Sequence, residues 1–136
     1  LVIGLVIIFV LDQYYPLHRF TGYTAMTLGS VAIFAGLLVL AGGHFRKADT
    51  DMIPFREVRA LVTNGVYRFT RNPMYLGMAL ILLGTACTTG VASGLAVPLV
   101  FMAIIELRYI RPEEAMLRAI FGEEFDSYCR RVRRWL

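Results

Sequence analysis

The stretch Tyr67-Arg68-Phe69-Thr70-Arg71-Asn72-Pro73-Met74-Tyr75-Leu76-Gly77 decides how this chain is read. Arg68 and Arg71 stand just before residues 72–105, which carry no formal charge and open with an Asn-Pro pair. That run is far longer than the roughly 20 residues of one membrane-crossing helix. It therefore folds back once, and Thr88-Thr89-Gly90 with Ser93-Gly94 supplies the small polar residues of a tight turn. A charged, hydrogen-bonding site then lies at a membrane boundary, where a charged small molecule can be held against lipid.

Working outward, the expected fold is an all-α integral membrane protein of about four transmembrane helices, with a helical hairpin and a C-terminal amphipathic helix. The hairpin gives a third span near residues 73–87 and a fourth near 92–109, the latter bent at Pro98, which lacks a backbone donor. Residues 23–43 are uncharged and of the right length for a second span, with Gly29 and Gly36 permitting close helix approach. The apolar run 1–11 is too short to cross alone and lacks the basic flank of a signal peptide. It is read as the visible part of a first span, with residues preceding Leu1. One membrane domain of residues 1–136 results, divided into N-terminal spans (1–45) and a core (46–136).

Between spans two and three lie Arg46, Lys47, Arg56, Arg59, Arg68 and Arg71, against Arg19 alone between spans one and two. The positive-inside rule makes the central loop, Asp49 included, and the tail cytoplasmic. Tyr14, Tyr15, Phe20 and Tyr23 then mark the outer interface, and Tyr67, Tyr109 and Trp135 the inner one. In the tail, Met116, Leu117, Ile120, Phe121 and Phe125 fall on one face at helical spacing, with Gly122 the residue that tells against one continuous helix. This segment is expected to lie on the membrane or close over the bundle.

Composition supports the class. The chain is 57% hydrophobic and 18% charged, with a mean hydropathy of +0.61. The net charge of +4 comes from basic blocks flanking apolar runs, which set orientation and argue against a nucleic-acid partner. His18 and His44 are isolated, and Cys87 and Cys129 have no partners at ligand spacing, so no metal site or disulfide is read. A hydrolase, an ATPase and a proton-coupled pump are disfavoured, because no Ser-His-Asp set, Gly-rich phosphate loop or mid-span carboxylate is present.

Asn72 before Pro73 is a helix-start signal, with Asn as cap and Pro at the first helical position. The positive end of that helix, with Arg68 and Arg71 beside it, attracts a carboxylate or phosphate. Arg111-Pro112-Glu113-Glu114 repeats the device at the far end of the hairpin. Adjacent helical residues point about 100° apart, so one glutamate faces inward and can take an amine or ribose hydroxyls. Arg130, Arg131, Arg133 and Arg134 beside Trp135 are an anchor for anionic headgroups, from which one or two contact an anionic substrate.

These words, in their order, resemble the isoprenylcysteine carboxyl methyltransferase family and its phospholipid methyltransferase relatives in bacterial form. The pattern comprises Leu61 to Arg68, Arg71 to Gly77, a hairpin, Glu113-Glu114, Phe121 to Phe125, and Tyr128 through Arg134, over the last two-thirds of the chain. The resemblance implies S-adenosylmethionine as cofactor, S-adenosylhomocysteine as product, and a cofactor site at the cytoplasmic mouth, in a bacterial inner membrane. Residue by residue it implies cofactor binding by Arg71, Asn72, Pro73, Tyr75, Gly77, Glu113 and Glu114. Asn72 stands where the eukaryotic carboxyl methyltransferases usually carry His, which removes a titrating group.

A membrane lipid or lipid-like molecule is the expected acceptor. A carboxylate, such as that of an isoprenylcysteine-like molecule, needs no base, only a cation such as Arg131 or Arg134 to align it. A phospholipid amine must first lose a proton, and the sequence designates no base, so the carboxylate is slightly preferred and the amine N-methyltransferase is the alternative. From another class, a small multispan transporter or non-catalytic interaction subunit competes, but it has no need of Arg-Asn-Pro and Pro-Glu-Glu at both ends of one hairpin.

Overall fold

In the computed structural model, backbone is described for residues 1–15, 22–51 and 61–136, and side chains for the same residues except 44–51. His18, Arg19, Phe20, His44, Arg46, Lys47, Asp49, Arg56 and Arg59 therefore lie outside the described side chains. The described chain is helical: α1 (Val2–Tyr14), α2 (Tyr23–Asp51), α3 (Pro73–Thr89), α4 (Ala96–Ile105), α5 (Arg111–Phe121) and α6 (Glu123–Arg131). Short 3-10 turns at Gly65–Arg68 and Ala92–Leu95 and a π-turn at Glu106–Ile110 link them. Helical structure is continuous from Ala92 to Phe121, and this segment and Tyr23–Gly43 are long and apolar enough to cross a membrane. Val2–Tyr14 and Pro73–Thr89 are shorter apolar helices.

The central contact is α2 against α3, and it is made by glycine. A Cβ on Gly36 would meet the Gly77 carbonyl oxygen at 2.7 Å, and one on Gly29 would meet that of Gly84 at 2.7 Å. The pairs 29/84 and 36/77 run in opposite senses, so the helices are antiparallel. They approach so closely that side chains on this face would collide with backbone. The large side chains point the other way: Phe34, Val31 and Leu28 of α2 are exposed, as are Ile3 and Phe9 of α1. Large residues outside and small ones inside is the arrangement of helices solvated by hydrocarbon.

At the other face of α3, Ile8, Leu82 and Ala86 form a buried cluster, flanked by Leu5, Leu95, Val97 and Phe101. The helix ends where Gly90 adopts a left-handed conformation (φ 70°), its N–H bonded to the Ala86 carbonyl. The Ser93 hydroxyl then donates to the Tyr15 carbonyl at 3.2 Å, so the 92–95 turn sits beside the end of α1.

The two prolines of this segment both sit beside irregular turns. Pro98 is buried near the start of α4, directly after the 3-10 turn at Ala92–Leu95, and a second irregularity lies further on. It precedes Pro112, which cannot donate to the Arg108 carbonyl; over 106–110 the ladder widens, and Arg111 N–H bonds back to the Glu106 carbonyl, five residues earlier. Pro112 thus shifts the phase of a continuing helix and does not start a new one. Gly122, at φ 52°, does break the tail, dividing α5 from α6.

Candidate functional site

At the end of the bundle remote from Gly90, the start of α3, the π-turn with α5, and the C-terminal segment meet. Backbone joins them first. Arg71 N–H donates to the Arg133 carbonyl at 3.1 Å. The Arg134 carbonyl accepts both the Thr70 hydroxyl (3.2 Å) and the Asn72 side-chain amide (3.0 Å). Thr70 is buried, and its oxygen also receives Asn72 N–H at 3.1 Å. Asn72 precedes Pro73 at the helix start as expected, but its side chain caps no N–H. The acceptor at Arg134 captures its amide, so Asn72 fastens the tail.

Charge completes the junction. Glu114 is 7% exposed and lies in a fork: its two oxygens accept Arg134 Nε at 3.1 Å and Nη2 at 2.6 Å. Arg71 Nη1 stands 3.1 Å from the same carboxylate and 2.6 Å from the Cys129 sulfur. Glu106 accepts Arg134 Nη1 (2.8 Å), Arg111 Nη2 (3.1 Å) and the Trp135 indole N–H (3.2 Å). Three guanidiniums thus surround two carboxylates, leaving one excess positive charge. The hydrogen bonds from Arg134 to Glu114 hold its guanidinium proton above the ordinary arginine range. Arg71 Nε is buried with no acceptor among the described residues.

The two adjacent glutamates part company. Glu114 turns into this cluster, whereas Glu113 is exposed and forms no ion pair or hydrogen bond among the described residues. Its charge reaches Tyr67 and Tyr75, and Tyr109 neighbours Tyr75 as well. Burial, then the Glu113 charge, raises the Tyr67 pKa. The Tyr67 carbonyl accepts the Tyr128 hydroxyl at 2.8 Å, and burial pushes the Tyr128 pKa up to about 12. Phe125, Tyr128 and Val132 form the apolar cluster that seats α6, with Leu61, Leu117 and Phe121 against it.

Of the residues singled out in the sequence, Arg71, Asn72, Glu114 and Arg134 are brought together. Pro73 is buried at the first position of α3. Gly77 lies one turn deeper, against Gly36 and Leu40 of α2, and that contact alone requires glycine. Arg131 takes no part in this cluster: it lines a cleft with Arg68, Tyr128 and Val132. Sequence reasoning missed Glu106, Thr70 and Tyr128. Glu106 was legible in principle, since eight residues separate it from Glu114, close to two helical turns.

The family described as phospholipid methyltransferase matches residues 17–124. A probable protein-S-isoprenylcysteine O-methyltransferase of Oryza sativa subsp. japonica is 32% identical over 114 residues, 83% of this chain and 58% of that protein. A protein-S-isoprenylcysteine O-methyltransferase of Schizosaccharomyces pombe is 37% identical over 73 residues, 53% of this chain and 30% of that protein. An uncharacterized protein of Haemophilus influenzae is 36% identical over 63 residues, 46% of this chain and all of that protein. The chain thus spans 58% of the length of the rice relative. No solved structure matches. With the match extending from before α2 through the Glu113-Glu114 pair into α6, the chain belongs to the phospholipid methyltransferase family.

Proposed function

We propose that this chain is an integral membrane methyltransferase that uses S-adenosylmethionine and acts on a lipophilic acceptor. The observation that supports the reading best is the junction at one end of the apolar helices, where the start of α3, the π-turn with α5 and the C-terminal segment share one charged cluster. In this reading four helices cross the membrane, α3 and the 92–121 segment as a hairpin, with the junction on the cytoplasmic side of a bacterial inner membrane. Residues 1–45 supply spans and residues 46–136 the catalytic core. The 92–121 segment is about 45 Å long as a helix, against about 30 Å of hydrocarbon. Its last turns, with Glu113 and Glu114, then stand clear of the lipid.

The residues present fit the implied cofactor. Bound there, S-adenosylmethionine supplies an electrophilic methyl carbon on sulfur. Glu113 beside Tyr75 offers an uncommitted carboxylate to an ammonium or to ribose hydroxyls, and the orphaned Arg71 Nε is a buried donor that an anionic oxygen would satisfy. Glu114 and Arg134 act differently, as a locked pair that holds Arg71 and the tail in place. Asn72 and Pro73 fix the entry of α3, and Gly77 sets its distance from α2. The protein's share of the reaction is to orient the acceptor and exclude water. The carboxylate of an isoprenylcysteine-like molecule remains the preferred acceptor, because it needs no general base, whereas Glu106 and Glu114 are held in ion pairs and Glu113 is assigned here to the cofactor. A phospholipid amine is the alternative.

The test combines binding and product chemistry. Purified protein is expected to bind labelled S-adenosylmethionine, with Glu113→Gln weakening it about tenfold, the value of one charge-assisted hydrogen bond, at unchanged melting temperature. With methyl-labelled cofactor and total membrane lipid, an ester product releases volatile methanol in mild alkali, whereas an N-methylated headgroup keeps its label. Absence of cofactor binding in the wild type would defeat the enzyme reading and leave the transporter or interaction subunit. Label found only in water-soluble, non-volatile products would defeat the lipophilic acceptor.

A further inference from the structure

Thr63, Asn64 and Arg68, before α3, face Tyr128, Arg131 and Val132 across a cleft of about 260 Å³. Its charge is one-sided. Arg71, Arg111, Arg118 and Arg134 each have a carboxylate partner; Arg68 and Arg131, like the exposed Arg108, Arg130 and Arg133, form no ion pair among the described residues, and what sets these two apart is that both line this cleft. Arg131 engages only its Nε, at 3.4 Å from the Ser127 carbonyl, leaving both Nη groups. The Tyr128 hydroxyl is already donated to Tyr67, so its ring serves as wall. Glu114, the buried carboxylate among the described residues, is consumed by Arg71 and Arg134.

Two guanidiniums that line one space repel each other, and an anion between them removes that cost. A single carboxylate has oxygens enough for one guanidinium fork; a phosphate has enough for two. The volume is below the roughly 300–1,000 Å³ of sites that enclose a drug-sized molecule, which suits a headgroup fragment better than a whole nucleoside cofactor.

We propose that this cleft binds a phosphate group, gripped between Arg68 and Arg131, with Thr63 and Asn64 as neutral donors. The source is a phospholipid headgroup or a soluble phosphate, which present the same oxygens. The assignment does not depend on methyl transfer, and it moves Arg131 from aligning an acceptor carboxylate to holding a phosphate.

The full chain, purified in a phosphorus-free sugar detergent, is examined by native mass spectrometry with added phosphatidylglycerol, and with diacylglycerol as the phosphate-free control. A discrete adduct is expected with phosphatidylglycerol and none with diacylglycerol. Arg68→Gln and Arg131→Gln each weaken it about tenfold without a change in melting temperature, and Arg131→Lys weakens it less. Arg108→Gln, an equal charge change at an exposed position outside the cleft, leaves it intact. Displacement by inorganic phosphate assigns a soluble source; adduct formation resistant to phosphate assigns the headgroup. Equal weakening by all three glutamine variants would mean a diffuse basic surface and overturn the proposal, as would an adduct that survives both cleft variants. Loss of S-adenosylmethionine binding in Arg131→Gln would give the cleft to the cofactor and likewise overturn it. A wild type that binds the phosphate lipid but no S-adenosylmethionine would sink the methyltransferase reading alone.

Discussion

The α2–α3 contact and the junction at the start of α3 are held by opposite means. The first is built around glycine: Gly29 and Gly36 lie against Gly84 and Gly77, edged by Ile33, Leu40, Ile81 and Thr88, and what is gained is dispersion between closely approaching backbones. The second is almost all side chain, with Glu114 and Glu106 shared among Arg71, Arg111 and Arg134. Helices bathed in hydrocarbon gain nothing by hiding leucine from lipid, so they associate through surfaces without bulk. Where the chain leaves the apolar layer, charge pairs and a small aromatic cluster take over. The comparison teaches that this molecule tolerates change in different currencies at its two ends: volume in one, charge in the other.

The largest effect is expected from added volume. Gly36→Leu places a side chain where a Cβ alone meets the Gly77 oxygen at 2.7 Å, and neither backbone can yield without separating the helices. The cost is about 3 kcal/mol or more, enough to leave little folded protein by size-exclusion chromatography and circular dichroism in detergent. A normally folded Gly36→Leu variant would show that α2 and α3 are not held by this contact.

Charge removal comes next. Glu114→Ala leaves Arg71 and Arg134 facing each other and should cost about 3 kcal/mol in thermal or denaturant unfolding. Arg134→Ala should cost less, since Glu114 keeps Arg71 at 3.1 Å. Equal losses would mean that Glu114 is not the centre of the junction.

The smallest effect sharpens the boundary between the two regimes. Tyr128→Phe keeps the ring in the cluster with Phe125 and Val132 but removes the bond to the Tyr67 carbonyl, for about 1 kcal/mol. Its pH signature is specific. The pKa of Tyr128 is raised from 10.0 to about 12 by burial, so the unfolded chain loses this proton first. The stabilisation is fully present below pH 10 and is lost as pH rises toward 12. The variant should show a shallower fall in melting temperature across that window. A parallel fall in both proteins would place the hydroxyl in water.

Much of this was legible in one dimension. The uncharged run 72–105, Pro73 at a helix start, and glycines spaced at 29 and 36 follow from local propensities and from periodicities that a helix carries wherever it packs; the single amphipathic tail helix read there is divided in two at Gly122. Family membership was legible too, because the words around Arg71, Asn72, Pro73, Glu113 and Glu114 keep their order and separation.

Which glutamate turns inward was not. Adjacent residues define two directions, but the phase of the helix depends on the widened turn at 106–110 and on where Arg71 and Arg134 arrive from elsewhere. Asn72 was read as a cap because its oxygen can accept from the backbone ahead of it. The Arg134 carbonyl, 62 positions away in sequence, took its amide instead. Gly77 looked like part of a ligand motif until α2 lay against it. Sequence by itself determined what each segment can do locally; the tertiary structure decided which of several satisfiable hydrogen bonds and charges were satisfied, because their partners are brought near only when distant segments pack.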